Sequence, residues 1–246
     1  MQTVNVLCIK WGRKYGPEYV NRLHSMVRRH LKRPFRFICL SDDGQGVDPD
    51  IDVRPIPQVG FDEFDSRKPW SFGHGWLKLT SFADPLYDLQ GPTLFLDLDI
   101  VIVDAIDCFF DHPGTFCVIK EWDKQDGTGN TSVYRYTIGA HKDALEHLKN
   151  GYPGSIADVR NEQEYITQYL GRQGKVQYWP EGWCVSFKRH CVPRGLMSWL
   201  KPPTIPAGAK IIAFHGKPNP PDAIAGVSGK WYRRVPPTAW VAEHWR

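Results

Sequence analysis

The segment LFLDLDIVIV, residues 94–103, limits the fold of this chain more than any other stretch of the sequence. It is almost continuously apolar and rich in β-branched residues, which is the composition of a strand buried on both faces of a sheet. Only Asp97 and Asp99 interrupt it. In an extended strand, two residues that are two positions apart point to the same side. The segment therefore predicts a central strand that carries two carboxylates side by side at its end.

Two charges at the end of a buried strand are costly unless a cation meets them. A divalent metal ion that carries a phosphorylated ligand would meet this need, because hard cations prefer oxygen ligands. Two solvated acids at an open strand end are the alternative arrangement. We expect Asp97 and Asp99 to lie at a binding site, and the residues alone leave the solvated arrangement open.

The segments before this strand predict an α/β sheet. A β-branched, alternating stretch at 3–11 is followed by a helix that opens at Pro17, which is favourable at a first helical position. Two further strands are predicted downstream, at 35–40 and 51–56. Strands and helices at this spacing are typical of a parallel sheet, in which ligands bind at the carboxyl ends of the strands. The loops 10–16 and 41–44 are therefore candidate binding loops.

The rest of the chain continues this alternation. A loop at 57–75, rich in aromatic residues and glycine, is predicted to be functional rather than disordered, and a helix that carries Lys78 follows it. Later strands are predicted at 114–122, 131–139, 175–179 and 209–216, and later helices at 141–150 and 159–171. Because no linker divides the chain, we expect one domain over 1–246. Its nucleotide-binding part would span about 1–105, and its acceptor part with the C-terminal tail about 106–246.

Composition narrows the classes of function. A hydrophobic fraction of 41% and a charged fraction of 24% are those of an ordinary soluble globular protein. A net charge of +4 suits anionic ligands but is too small to indicate nucleic-acid binding. The 6 cysteines have no C-x-x-C or zinc-like spacing, and Cys8, Cys39 and Cys117 lie in apolar runs typical of buried free thiols. No signal region or long apolar span is evident, so we expect a cytoplasmic protein, with at most peripheral association at the inner face of a membrane.

Four short motifs of the chain together resemble a known family. FLDLDIVIV is similar to the D-x-D segment of GT-A glycosyltransferases, and a lysine-bearing helix before it, N-T-S-V after it and F-H-G-K-P near the C-terminus complete the pattern. Over roughly residues 3–220, the chain is similar to glycosyltransferase family 8 and to related bacterial sugar transferases. The resemblance implies a single GT-A (Rossmann-like) α/β domain with a mixed, mostly parallel central sheet flanked by helices. It also implies a hexosyltransferase that uses a nucleotide sugar, expected to be UDP-linked, and a glycan or lipid-linked acceptor, with retention of configuration.

The resemblance also implies a Mn²⁺ or Mg²⁺ site. Asp97 would approach the ribose and the metal, Asp99 would be the principal carboxylate ligand, and His215 would be the late histidine ligand. Two carboxylates and an imidazole, completed by diphosphate oxygens, suit either ion, which would neutralise the leaving nucleoside diphosphate. Gly216 and Lys217 follow directly, with Lys217 as a further cation for the diphosphate. The family spaces these residues as H-x-x-G-x-x-K-P-W, whereas here they run together. The alternative for His215 is a histidine at a strand end whose hydrogen bonds are made within the protein.

The candidates for nucleotide binding lie in the first two loops and on the helix before the D-x-D. The first loop offers Lys10, Trp11, Gly12 and Tyr15. The tyrosine ring is predicted to stack on a base, with simple packing against the first helix as the alternative for both aromatic residues. Asp42 or Asp43 is predicted to accept a hydrogen bond from a ring N–H of the base. Lys78 is predicted to face the donor or to brace Asp97, and an ordinary lysine on the helix surface, which would do neither, is the alternative.

The candidates for sugar binding follow from two short motifs. Asn130, Thr131 and Ser132 resemble the family's N-S/T-S segment, for which a turn before a strand is the alternative. E-Q-E at 162–164 is similar to the family's D-Q-D region, which implies Gln163 beside the reacting anomeric carbon and Glu162 as an acceptor for a sugar hydroxyl; a solvated helix face explains it equally well. An inverting enzyme would need a general base instead. The acids available for that role are Glu162, Glu164 and Asp158.

Two other classes stay open. A strand that ends in D-x-D also begins the haloacid-dehalogenase phosphohydrolases, with Asp97 as nucleophile and Asp99 as acid/base. Those enzymes place the motif near the N-terminus and need a downstream G-D-x-x-x-D, which this sequence lacks. A non-catalytic carbohydrate-binding protein would use the aromatic loops, but it would not explain paired carboxylates on a buried strand. The basic, aromatic segment 231–246 is predicted to pack on the sheet, with a lid or a contact to an anionic lipid-linked acceptor as alternatives.

Overall fold

The computed structural model describes residues 2–58, 74–124, 126–151, 154–195, 197–228 and 235–246. The strands in these ranges are β1 (Val4–Lys10), β2 (Phe35–Ser41), β3 (Asp52–Arg54), β4 (Pro92–Leu96), β5 (Ile100–Ile102), β6 (Phe116–Lys120), β7 (Gly129–Thr137), β8 (Val176–Tyr178), β9 (Cys184–Ser186) and β10 (Ile211–Ala213). The α-helices are α1 (Pro17–His30), α2 (Cys108–Asp111), α3 (Lys142–Gly151), α4 (Glu162–Gly171), α5 (Met197–Leu200), α6 (Pro220–Ala225) and α7 (Ala239–His244). Two 3-10 helices, His74–Phe82 and Gly154–Ile156, and a π-helix, Phe187–Cys191, complete the described elements. The predicted loop at 57–75 lies almost entirely outside the described residues.

The described strands form two sheets. The larger has seven strands in the order β3-β2-β1-β4-β7-β6-β8, and the smaller has three in the order β5-β10-β9. In the larger sheet only β7 runs against its neighbours, because it pairs antiparallel with both β4 and β6 while the other pairs are parallel. The predicted class, a mixed and mostly parallel α/β sheet flanked by helices, is therefore confirmed.

The predicted single strand at 94–103 is wrong in one respect. The chain leaves the large sheet after β4, turns at residues 97–99 and enters the small sheet as β5. The Asp97 N–H still donates to Ser132 O of β7, whereas Asp99 O accepts from the N–H of Phe214, directly after β10, both at 2.9 Å. Two carboxylates are costly inside a continuous buried ladder, and the change of sheet places them at its edge instead.

Alternation along each strand builds a core on both faces of the large sheet. In β1, the side chains of Val4, Val6 and Cys8 belong to one apolar cluster, and those of Leu7 and Ile9 belong to the other. Successive residues of a strand face opposite sides, so both faces of this strand are buried. The first cluster includes α1 and the small sheet, and the second includes the 3-10 helix at 74–82 together with α3 and α4.

Helix α1 begins where the sequence predicts. Pro17 occupies the first helical turn, and the predicted stripe is buried against β1 and β2. That stripe consists of Val20, Leu23, Val27 and Leu31, which are all at most 5% exposed. Each buried aliphatic side chain of this size contributes about 1.5–3 kcal/mol relative to an exposed one. The helix is thus held by packing, and it fixes the loop that joins it to β1.

The described part of the C-terminal segment packs on α1. The Trp245 ring lies 5.0 Å from the Tyr19 ring in an edge-on arrangement, and the Arg22 guanidinium lies 4.0 Å above the Trp245 ring. Arg29 donates to the carbonyl oxygen of His244. Helix α7 therefore lies against the α1 side of the sheet in the part of the segment that the structure describes. No helix within the described ranges is long and apolar enough to cross a membrane.

Candidate active site

A cavity of about 400 Å³ opens at the carboxyl ends of β1 and β4. Its walls come from the β1–α1 loop, the 3-10 helix at 74–82 and the turn between β4 and β5. The lining residues are Ile9, Trp11, Gly12, Arg13, Lys14, Tyr15, Gly75, Lys78, Asp97, Leu98 and Asp99. This is the edge at which parallel α/β sheets bind ligands, and its volume falls in the range of small-molecule sites. The predicted D-x-D carboxylates therefore lie in the wall of a cavity.

Asp97 is held by a buried lysine. Lys78 Nζ lies 2.8 Å from each of the two carboxylate oxygens of Asp97. The same ammonium group is 3.8 Å from Glu162 Oε1, which also accepts a 3.3 Å hydrogen bond from the hydroxyl of Thr131. Burial lowers the pKa of Lys78, but the charges of Asp97 and Glu162 outweigh burial and raise it. Of the two predicted roles for Lys78, the structure shows the bracing of Asp97.

Asp99 is held differently, by a neutral partner. The Tyr15 hydroxyl donates a 2.7 Å hydrogen bond to Asp99 Oδ2. Burial and the neighbouring charge of Asp97 raise the pKa of Asp99 to about 6, although the hydrogen bond from Tyr15 acts in the opposite direction. Burial, together with the charge of Asp99, raises the pKa of Tyr15 strongly, so the tyrosine stays protonated. The Tyr15 ring lies 4.7 Å from that of Tyr19 on α1.

The β1–α1 loop is tied to the loop after β2. Gly12 N–H donates a 2.8 Å hydrogen bond to Asp42 Oδ2, and Gly12 has a φ of +59°, a conformation that favours glycine. Lys10 is buried, and its Nζ donates to the carbonyl oxygen of Asp43 at 3.1 Å. Trp11 lines the cavity and packs against the second apolar cluster. The structure thus brings the predicted nucleotide loops together, with Lys10 bracing the neighbouring loop rather than lining the cavity.

His215 follows the strand that pairs with β5. Strand β10 runs antiparallel to β5, and Phe214 pairs with Asp99, so the backbone brings His215 beside the D-x-D turn. The imidazole Nε2 lies 2.6 Å from the hydroxyl of Ser186, and the ring stacks on Trp122 with centroids 5.6 Å apart. Burial and the positive charges of Lys188 and Arg189 lower the pKa of His215.

The two residues after His215 differ in their surroundings. Gly216 has a φ of +70°, and a side chain there would approach Lys188 Nζ to 3.5 Å. Lys188 in turn donates to the carbonyl oxygen of His215. Lys217 is exposed. Lys188 therefore contacts the backbone of this turn, and it is not among the residues predicted from the sequence.

The two carboxylates fit a divalent metal ion, whereas the predicted histidine ligand is turned elsewhere. Among the described residues, no group of three or more histidine, cysteine, aspartate or glutamate side chains is placed to hold a metal ion. Asp97 and Asp99 line one cavity and offer hard oxygen ligands, and burial together with the charge of Asp97 raises the pKa of Asp99. His215 instead bonds to Ser186. The three-residue metal site stays a prediction.

A second polar cluster contains the predicted sugar-binding residues. Glu121 Oε2 accepts hydrogen bonds from Asn130 Nδ2 at 3.2 Å and from Gln163 Nε2 at 3.5 Å. Asn130 Oδ1 accepts from the Ser132 N–H at 3.0 Å. Glu162, at the start of α4, links this cluster to the cavity, because its carboxylate packs against Gly75 in the cavity wall. The two predicted sugar-binding motifs thus contact each other through Glu121, and Glu162 lies against the cavity wall.

Glu164 is engaged in a structural ion pair. It is buried, and it accepts hydrogen bonds from Arg160 and Lys124. Burial opposes its ionisation, yet the hydrogen bonds from these two cations outweigh burial and lower the pKa of Glu164 to about 2. A carboxylate with this pKa is a weak proton acceptor at neutral pH. Asp158, another acid available to an inverting enzyme, is exposed.

Sequence reasoning missed several residues of the site. Arg13 and Lys14 line the cavity within a loop that the sequence does identify. Glu121 and Trp122 follow the apolar run of β6 directly, and β6 runs parallel to β4, so its carboxyl end lies at the same edge of the sheet. An acidic residue at that position is a signal for a site residue. Ser186 carries no such signal, because its role depends on a contact with the distant His215.

No protein-family model matches the chain. No curated protein matches it in sequence. Among solved structures, it is similar to the galactosyltransferase LgtC in complex with donor and acceptor sugar analogs, with a TM-score of 0.59 and 12% identity over 88% of each chain. It is also similar to an active-site mutant of LgtC in which glutamate replaces glutamine, with a TM-score of 0.57 and 13% identity over 88% of this chain and 89% of that one. At this identity the likeness shows the fold, and it confirms the predicted GT-A fold.

Proposed function

We propose that this protein is a glycosyltransferase that moves a hexose from a nucleotide sugar to a hydroxyl of a glycan or lipid-linked acceptor. The nucleotide sugar that we expect is UDP-linked. The observation that carries the proposal is the pair Asp97 and Asp99 in the wall of a cavity at the carboxyl ends of β1 and β4. The likeness of the fold to LgtC, solved with donor and acceptor sugar analogs, supports it.

In this proposal, Asp97 and Asp99 hold a Mn²⁺ or Mg²⁺ ion, with His215 as a further ligand after its side chain turns from Ser186. The ion would supply positive charge to the diphosphate of the donor. Lys78 holds Asp97 in place, since its ammonium group lies 2.8 Å from that carboxylate. Tyr15 orients Asp99 through its hydroxyl.

The remaining cavity residues suit a nucleoside diphosphate. Arg13 and Lys14 line the cavity mouth and are exposed, so their charges are available to phosphate oxygens. Trp11 and Tyr15 offer aromatic surface to a base. Asp42 already accepts from Gly12 N–H, and its acceptor capacity extends to a ring N–H of a base. Lys217 reaches the diphosphate only if its exposed side chain folds inward.

The sugar side of the site uses the cluster around Asn130, Ser132, Glu162 and Gln163. In the transfer, the bond from the anomeric carbon to the donor phosphate breaks, and a bond to the acceptor oxygen forms. With retention, the departing phosphate accepts the proton of the acceptor hydroxyl, so no protein base is required. The engagement of Glu164 with Arg160 and Lys124 agrees with this reading, because it removes one of three acids from the role of base.

The test is calorimetric titration of UDP and of GDP into the protein with Mn²⁺ and again with EDTA. We expect one nucleotide to bind only with the metal, and we expect Asp99→Asn to abolish that binding. Asp104→Asn is the matched control, since Asp104 lies past the other end of β5, exposed and paired with Lys210. If neither nucleotide binds in the presence of Mn²⁺, the donor assignment is wrong.

Turnover gives a second, independent measure. Hydrolysis or transfer of labelled UDP-hexoses, followed by proton NMR of the anomeric signal, reports both the sugar and the stereochemical outcome. Retention predicts an initial product with the anomeric configuration of the donor. An initial product of opposite configuration would instead assign a general-base role to an acid of this site, with Glu162 or Asp158 as the candidates.

A further inference from the structure

Glu121 lies directly after β6, at the edge of the large sheet where the cavity opens. It contacts two of the predicted sugar-binding residues, Asn130 and Gln163. Its Oε1 accepts a 2.9 Å hydrogen bond from Trp122 N–H, which fixes one oxygen of the carboxylate. Its Oε2 accepts hydrogen bonds from the side-chain NH₂ groups of Asn130 and Gln163. One carboxylate thus joins two side chains that are 33 positions apart in sequence, residues 130 and 163.

An ionised carboxylate can only accept hydrogen bonds, whereas a primary amide has one donor end and one acceptor end. Both amides must therefore turn their NH₂ groups towards Glu121, and their carbonyl oxygens point away. Asn130 Oδ1 is used within the fold, because it accepts from Ser132 N–H. Among the described residues, Gln163 Oε1 has no hydrogen-bond partner. The carbonyl oxygen of Gln163 is the acceptor that this arrangement leaves for a ligand.

Gln163 stands next to a residue that is already at the cavity. Glu162 precedes it in the first turn of α4, and the Glu162 carboxylate lies against Gly75 and 3.8 Å from Lys78 Nζ. Gln163 itself is partly exposed. Positive charge develops at the anomeric carbon when a glycosyl group is transferred. A carbonyl oxygen facing that carbon stabilises the charge, and an NH₂ group in the same place opposes it.

We propose that Glu121 is a positioning residue that fixes the orientation of the Gln163 amide, so that its carbonyl oxygen faces the sugar of the donor. The role rests on the proposed transferase function. It gives Glu121 an effect on the reaction step rather than on donor affinity, because the amide of Gln163 occupies the same space in either orientation.

The first experiment compares Glu121→Gln with Glu146→Gln, a matched change at an exposed position on α3. A glutamine at 121 offers a donor as well as an acceptor, so the Gln163 amide loses its fixed orientation. For donor hydrolysis and transfer, we expect kcat to fall by about tenfold or more, with KM for the donor changed less than about threefold. Glu146→Gln should keep both constants. Unchanged kcat in a folded Glu121→Gln protein would overturn the proposal.

A second readout does not depend on turnover. The side-chain NH₂ groups of Asn130 and Gln163 give amide signals in ¹H–¹⁵N spectra, assigned by their loss in Asn130→Asp and Gln163→Glu. We expect both pairs of signals to move in Glu121→Gln and to stay in place in Glu146→Gln. Signals that do not respond to Glu121→Gln would disprove the positioning contact. Should the wild-type protein lack transferase activity while these signals respond, the proposed function fails and the contact stands.

A third variant covers the case in which Glu121→Gln does not fold. The double change Glu121→Gln with Gln163→Glu exchanges the two groups and restores one donor facing one carboxylate. We expect the exchanged protein to be more stable in urea than Gln163→Glu alone, which places two carboxylates together. Equal stability of the two proteins would show that residues 121 and 163 do not interact, and would overturn the proposal.

Discussion

The Tyr15 hydroxyl donates a 2.7 Å hydrogen bond to Asp99 Oδ2, across 84 positions of sequence. The neighbouring carboxylate, Asp97, has a lysine instead of a tyrosine as its partner. Two acids that look equivalent in the sequence therefore differ in charge compensation. Asp97 is neutralised by Lys78, whereas Asp99 keeps a negative charge that burial disfavours, and its pKa rises to about 6.

The pH dependence of metal-assisted nucleotide binding should follow Asp99. Because its pKa is about 6, Asp99 is ionised above that pH and becomes protonated below it. Calorimetry of nucleotide binding with Mn²⁺ should show affinity falling as pH drops below about 6. Tyr15→Phe keeps the ring but removes a hydrogen bond that lowers the pKa of Asp99, so the fall should begin at a higher pH. Tyr87→Phe is the control, since its hydroxyl donates to the carbonyl oxygen of Pro55. Identical profiles for Tyr15→Phe and wild type would contradict this assignment.

Without metal, Asp99→Asn should stabilise the protein at neutral pH. The folded-state pKa of Asp99 lies above its ordinary value of 3.8, so ionisation of this group opposes folding. The penalty is absent below about pH 4, grows as pH rises towards 6 and is complete above it. We expect Asp99→Asn to add about 1–3 kcal/mol to the free energy of unfolding at pH 7.5, measured by urea denaturation with EDTA. The gain should disappear near pH 3.5, and a gain equal at both pH values would argue against this origin.

Replacing Lys78 should cost more than replacing a surface lysine. Lys78→Met leaves the carboxylates of Asp97 and Glu162 without their shared cation, and removal of one partner from a buried ion pair costs about 3–5 kcal/mol. Lys142→Met removes an exposed pair with Asp84, so the free energy of unfolding should change far less than in Lys78→Met. Urea denaturation at pH 7 measures both. Adding Asp97→Asn to Lys78→Met should restore part of the loss; no restoration would mean that the lysine stabilises by packing alone.

Glu164→Gln should affect stability and leave catalysis in place. Hydrogen bonds from Arg160 and Lys124 hold the pKa of Glu164 at about 2, so its contribution is complete above about pH 4.5 and is lost as pH falls through 2. Hydrogen bonds to a charged group contribute about 1.5–3 kcal/mol, and a loss of this order is expected at pH 7. The variant should retain kcat within about threefold. A fall of a hundredfold or more would instead identify Glu164 as a base of the reaction.

Much of the architecture follows from local patterns. Strand β1, helix α1 with Pro17 in its first turn, β2 and β3 all lie where the sequence predicts them. Their signals are strong because alternation, apolar periodicity and a proline at a helix start are properties of neighbouring residues. The placement of the binding edge follows as well, since parallel strands gather their carboxyl ends.

The break within 94–103 is the instructive difference. Composition alone favours one continuous strand there, because β4 and β5 are both apolar and β-branched. The change of sheet depends on which strands are available as partners: Ser132 of β7 on one side and Phe214 after β10 on the other. Neither partner is visible in a local pattern, so the turn that carries Asp97 and Asp99 is a tertiary property.

Side-chain pairing shows the same division. The sequence predicts the residue types at the cavity, which are two acids in D-x-D with a lysine-bearing helix before them. It also predicts their position at the end of a buried segment. The partners are not: Lys78 pairs with Asp97, Tyr15 with Asp99 and His215 with Ser186. Local sequence sets which backbone conformations and burial patterns are favourable, because these depend on near neighbours. Hydrogen bonds between distant side chains depend on how the two sheets and the helices pack. That packing pairs Asp97 with a cation and Asp99 with a neutral hydroxyl.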